Sequence, residues 1–155
     1  MDRRVGAGDR GRSLEWDTVI VVQWDMLVFG KLERVFGCLE QGQILLSGVR
    51  PIEELEDTWL WTSPKYPARR AEYLAYLDHV RETTGYAGKA LCSLPIVMCF
   101  PRAFFDRFVE IERPELGFLE YSLPTWARAF GIPFCLDHPF RPWWGATDRY
   151  TPFAV

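Results

Sequence analysis

The chain has 155 residues, 48 % of them apolar and 25 % charged, with a formal net charge of −3. That length suits one domain with a sizeable core, and a slightly acidic balance gives no footing for nucleic acid. No apolar run approaches the roughly 20 residues that cross a bilayer, so no membrane span is expected.

Met1 to Ser13 is basic and Gly-rich and has no apolar stretch, so these residues are not expected to act as a secretory signal. Residues 1–15 are read as a disordered leader and 16–155 as a single domain. Four cysteines (Cys38, Cys92, Cys99 and Cys135) form no Cys-x-x-Cys pair and sit among apolar neighbours. Buried free thiols are expected, which fits a reducing, cytoplasmic setting.

Asp17 to Trp24 is a β-branched run without Gly or Pro, expected as a strand buried on both faces and ending at Asp25. Leu32, Val35, Phe36 and Leu39 have helical spacing, and Ile44 to Val49 reads as a short strand. Buried strands alternating with helices predict an α/β fold, a mainly parallel or mixed sheet with flanking helices. Acidic Glu53 to Asp57 precedes Trp59-Leu-Trp61, whose alternation predicts a strand. Pro67 to Thr84 reads as a helix opened by Pro67, closed by Gly85, and striped by Tyr73, Leu74, Leu77 and Val80.

Pro95 interrupts the apolar run Leu91 to Phe100, which predicts an edge or bent strand. Arg102 to Ile111 and Glu120 to Phe130 read as helices, the second opened or kinked by Pro124 and stopped by Gly131. Ile132 to Leu136 is expected as a last strand, followed by a Pro- and Trp-rich tail from Pro139 to Val155.

Three places have the residue types that chemistry needs. Gln23-Trp24-Asp25 stands at the carboxyl end of the first strand, where open α/β sheets bind ligands. An acid there holds a hard divalent cation, or else caps the next helix. Glu120, near a helix start among apolar residues, is a general base with a raised pKa, or else an acid satisfied by helix amides. Trp59, Trp61, Trp126, Trp143 and Trp144 offer flat faces for sugar rings or fill the core, with Trp143 and Trp144 the favoured ligand pair. His79 reads as a surface residue, and His138 is a candidate metal ligand beside Asp25.

In order, Val-Val-Gln-Trp-Asp25, Trp59-Leu-Trp61, Leu-Pro-Ile-Val-Met-Cys-Phe-Pro-Arg102, Leu-Glu120-Tyr-Ser-Leu-Pro-Thr-Trp-Ala127 and a late Gly-Ile-Pro strand resemble a known pattern. It is similar to the second, acceptor-side half of GT-A-fold nucleotide-sugar glycosyltransferases, over roughly residues 17 to 140. The resemblance implies metal-assisted sugar transfer from a nucleotide sugar to a saccharide acceptor hydroxyl. It implies Mn2+ or Mg2+ at Asp25, which matches the second acid of D-x-D, with His138 as a late ligand. By the same resemblance Gln23 and Trp24 complete the donor-side motif, and Glu120 is the acceptor-side acid. Gln23 stands where the family has its first acid. Little sequence precedes the motif, so the nucleotide-binding half is expected to be missing. The alternative expectation is a degenerate, non-catalytic domain that binds a saccharide or a partner protein, with an open sheet edge favouring a homo-oligomer or a partner chain.

Overall fold

The computed structural model describes residues 14–26 and 29–140. The expected leader falls almost wholly outside that range, as do Trp143 and Trp144. In chain order the elements are β1 (Thr18–Val22), α1 (Leu32–Val35), β2 (Leu45–Leu46), β3 (Arg50–Pro51) and a 3-10 turn (Ile52–Glu54). They continue with α2 (Pro67–Thr84), β4 (Leu91–Cys92), β5 (Val97–Pro101), α3 (Arg102–Phe108) and α4 (Leu119–Ala129).

The fold is a small mixed α/β domain. One sheet has the order β1-β5-β2 and a second pairs β3 with β4. Every strand pair among the described residues is antiparallel, and the parallel element is a single bridge between Ile44 and Phe134. The expected mainly parallel or mixed sheet is thereby corrected to antiparallel sheets with one parallel bridge, and the expected last strand shrinks to that bridge. Short strands pair edge to edge here, and each face of the β1-β5-β2 sheet carries its own core cluster.

Alternation along β5 divides the core. Met98 and Phe100 join a large aromatic cluster with Leu46, Tyr73, Tyr76, Phe104, Tyr121 and Trp126. Val97 and Cys99 turn to the opposite face with Leu45, Val35, Phe36, Cys135 and Phe140. Cys92, Cys99 and Cys135 are buried free thiols and Cys38 is partly buried. Burial pushes Cys92 and Cys99 up to about 12, which keeps them as thiols.

Several elements differ from expectation for local reasons. β5 is the central strand, not an edge, because Pro95 falls before Val97 and removes no donor from the ladder. β1 is the edge instead, and Ile20, Val21 and Val22 keep 41 %, 37 % and 37 % of their surface exposed. The expectation of burial on both faces fails for that reason. α1 is one turn long, and just past it the chain passes so close to the Glu33 carbonyl that a Cβ at Gly37 would lie 2.5 Å from that oxygen.

Trp59-Leu-Trp61 is not a strand. Successive turns carry it, with Thr62 Oγ1 donating to the Glu56 carbonyl and Ser63 Oγ to that of Asp57. α2 runs from Pro67 to Thr84 as expected, and Gly85 ends it at φ 73°, a left-handed cap that favours glycine. Its buried stripe is Tyr73, Tyr76 and Val80, while Leu74 is 45 % exposed. The tyrosines win the core because Tyr76 can donate from its hydroxyl to the Ser122 carbonyl at 3.0 Å and stay satisfied there. Among the described residues no helix is long and apolar enough to cross a membrane.

Candidate functional site

A cleft of about 440 Å³ opens between the turns at 55–61, the start of α4 and Leu94. Leu55, Thr58, Trp59, Leu60, Trp61, Leu94 and Glu120 line it. Three of the residues singled out from the sequence, Glu120, Trp59 and Trp61, therefore meet at one place although they come from separate segments.

The two tryptophans are held by other rings. Trp61 stacks on Phe118 with 3.7 Å between centroids and 19° between planes. The Arg69 guanidinium lies over the same ring at 4.6 Å. Groups that close to one ring centre occupy opposite faces, so Trp61 presents its edge to the cleft. Trp59 meets Tyr121 edge to face at 6.4 Å and 86°, and its backbone N–H donates to the Leu55 carbonyl at 2.8 Å. Of the two expectations for Trp61, a flat face for a sugar ring or a core filler, its packing between Phe118 and Arg69 and against the core fits the second.

Glu120 sits in the first turn of α4. A helix start favours an anion there, yet burial pushes its carboxyl up from 4.5 to about 7. Desolvation is the cause, and no cation among the lining residues opposes it. No hydrogen bond from a helix amide stands beside that desolvation as a cause of the Glu120 shift. Such a group exchanges a proton near neutral pH, as a general base must.

Gln23, Trp24 and Asp25, expected from the resemblance to form a donor-side motif, are not among the residues that line this cleft. The Gln23 N–H continues the β1–β5 ladder to the Ile96 carbonyl at 3.0 Å, and Met26 N–H closes a turn back to Gln23 at 3.0 Å. Trp24 is 96 % exposed and Asp25 is exposed as well. The next helix starts at Leu32 with Lys31 at its cap position, so Asp25 does not cap it. His138 is half-buried, its ring 6.0 Å from that of Phe140. Among the described residues no three side chains of His, Cys, Asp or Glu gather to hold a metal ion. A Mn2+ or Mg2+ ion asks for several oxygen ligands, and Asp25 with His138 supplies one carboxylate and one imidazole. That donor set does not fit a resident hard cation.

Trp126 is fully buried and belongs to the core. His79, expected on the surface, packs edge-on against Trp126 at 5.6 Å and 83°. Leu55, Thr58, Leu60 and Leu94 are cleft residues that sequence reasoning did not pick out. The available signal was Leu60, an apolar residue between two tryptophans that is 45 % exposed once the segment turns instead of extending.

No family model, no curated protein and no solved structure matches the chain.

Proposed function

We propose that the Glu120 cleft is the acceptor pocket of a glycosyltransferase-like domain, in which a sugar passes from a nucleotide donor to the hydroxyl of a bound saccharide. The observation that supports this reading is the meeting of Trp59, Trp61 and a carboxyl near pKa 7 in one cleft. In the proposed step Glu120 takes the proton of the acceptor hydroxyl as its oxygen bonds to the anomeric carbon. The bond from that carbon to the donor phosphate breaks, and its electron pair leaves on the diphosphate. Trp59 and the edge of Trp61, with Leu55, Leu60 and Leu94, would hold the ring of the acceptor.

The test is transfer and donor hydrolysis with several uridine- and guanosine-diphosphate sugars, with and without manganese, using simple saccharide acceptors. Glu120→Gln should lower transfer by roughly 10²- to 10⁴-fold, the usual worth of a general base. Absence of transfer and hydrolysis across all donors would remove the catalytic reading.

A second reading is non-catalytic binding of a saccharide or partner protein. The absence of a cation from the cleft lining and of a three-ligand metal group among the described residues favours it. Saccharide binding followed by tryptophan fluorescence, weakened in Trp59→Ala without any turnover, would select this reading over the first.

A further inference from the structure

We propose that β1 is a self-pairing edge, through which two copies of this chain join their sheets about a two-fold axis at Ile20. Among the described residues one side of β1 pairs with β5 and no strand pairs with the other.

The register says which backbone groups are left on that open side. Thr18 faces Pro101, Ile20 faces Cys99 and Val22 faces Val97. At the two ends of the ladder, Arg102 N–H donates to the Asp17 carbonyl at 2.8 Å and Gln23 N–H to that of Ile96 at 3.0 Å. Residues of an antiparallel strand alternate between those that exchange hydrogen bonds with the neighbour and those that point away. Asp17 and Gln23 belong to the bonded set, so Val19 and Val21 do too. The N–H and C=O groups of Thr18, Ile20 and Val22 therefore point to the open edge.

A second β1 fits that edge in one register better than in its neighbours. With Ile20 opposite Ile20 of the other copy, Thr18 meets Val22 and Val22 meets Thr18. All three outward-pointing residues on each strand are then paired. A shift of two residues in either direction leaves some of them unmatched, and a shift of one opposes the wrong set. Val19 meets Val21 between them, so β-branched side chains oppose one another along the whole strand.

The side chains give the same answer. Ile20 and Val22 share a face with Cys99 and Val97, which belong to one core cluster. Val21 shares the other face with Met98, which belongs to the second. Ile20, Val21 and Val22 are more than a third exposed, so both cores run out at β1 with apolar groups in water. A copy of the same strand continues both cores at once. β1 also lacks the usual guards of a free edge, having no Lys, Pro or bulge between Thr18 and Val22. An isologous strand pair closes on itself, which limits assembly to a dimer.

The experiment is sedimentation of the full chain over a range of concentrations, beside Ile20→Lys, which sets two ammonium groups together on the axis. A dimer is expected, with a dissociation constant that Ile20→Lys raises by roughly a hundredfold. Oxidative cross-linking covers the case in which that variant fails to fold. Ile20→Cys should form a disulfide-linked dimer, and Val21→Cys, displaced from its own mate and on the opposite face, should not. A chain that stays monomeric at its highest soluble concentration overturns the proposal. So does a dimer indifferent to Ile20→Lys, or equal cross-linking at the two positions.

Discussion

The Ser93 backbone N–H donates to the carbonyl of Glu120 at 2.7 Å, and Pro124, inside α4, leaves that carbonyl open to it. In an α-helix the carbonyl of residue 120 would accept from the N–H of residue 124, and proline has none. The vacancy is filled from outside the helix, so the first turn of α4, and with it Glu120, is tied to the segment after β4. Pro124→Ala should give the helix its own donor and leave the Ser93 amide competing for one acceptor. Hydrogen exchange at Ser93 should then speed up by roughly tenfold, the equivalent of about one hydrogen bond. Unchanged exchange would mean that the proline does not direct this contact.

The pH dependence of stability follows from Glu120. Its carboxyl is at about 7 in the folded chain against an ordinary 4.5, so between those values the folded state binds more protons than the unfolded one. Stability is fully present below pH 4.5 and declines as pH rises through 7. Glu120 is about half buried, so solvent screening reduces the effect to about 1–2 kcal/mol. Glu120→Gln should match the wild type near pH 4.5 and exceed it by that amount at pH 8 in thermal melts. A wild-type advantage at pH 8 would show that the carboxylate has a stabilising partner.

Trp61 connects the cleft wall to the start of α4 through Phe118. Trp61→Ala should cost about 1–3 kcal/mol, the stacking and area of a partly buried aromatic. Arg69→Ala removes a half-exposed cation from the same ring together with its exposed ion pair to Glu72, and should cost about 0.5–1 kcal/mol. Water entering the space left by the indole should also bring the Glu120 carboxyl back down towards the usual carboxylate range. Carbon NMR titration of Glu120 in Trp61→Ala reads that directly, and a value still near 7 would assign the desolvation to other residues.

What was legible in the sequence was what local chemistry decides. α2 could be bounded at Pro67 and Thr84 because a first-turn proline and a left-handed glycine cap act without tertiary help. Glu120 could be picked out as a lone acid among Phe118, Leu119 and Tyr121, but its desolvation comes from the cleft it lines, since neighbouring Leu119 is 55 % exposed. Trp59-Leu-Trp61 was misread because alternation also arises in consecutive turns, and side-chain bonds from Thr62 and Ser63 to Glu56 and Asp57 hold those turns. The exposure of β1 was hidden for a different reason. A β-branched run looks the same in a central strand and at an edge, and only the pairing with β5 on one side tells them apart. The cleft itself joins residues 55–61, 94 and 120, whose proximity no local pattern encodes.

Thr125 carries the other tie between α4 and β4. Arg50 pairs with Cys92 and Pro51 with Leu91, and Ile52 N–H donates to the Ala90 carbonyl at 3.1 Å. By the alternation of an antiparallel ladder, the polar groups of Leu91 point away from β3. The Thr125 hydroxyl satisfies both, accepting from Leu91 N–H at 3.0 Å and donating to its carbonyl at 3.2 Å. One helical side chain thus does for β4 what a neighbouring strand would do, on a residue that is itself buried. Thr125→Val keeps the shape and strands both groups, so it should cost about 2–3 kcal/mol in denaturant unfolding. Thr125→Ser keeps the hydroxyl and should stay within about 1 kcal/mol of the wild type, the loss of one methyl. The pair separates the two contributions. A loss confined to Ser would assign the effect to methyl packing, whereas a loss confined to Val means that the hydroxyl holds α4, and so Glu120, against β4.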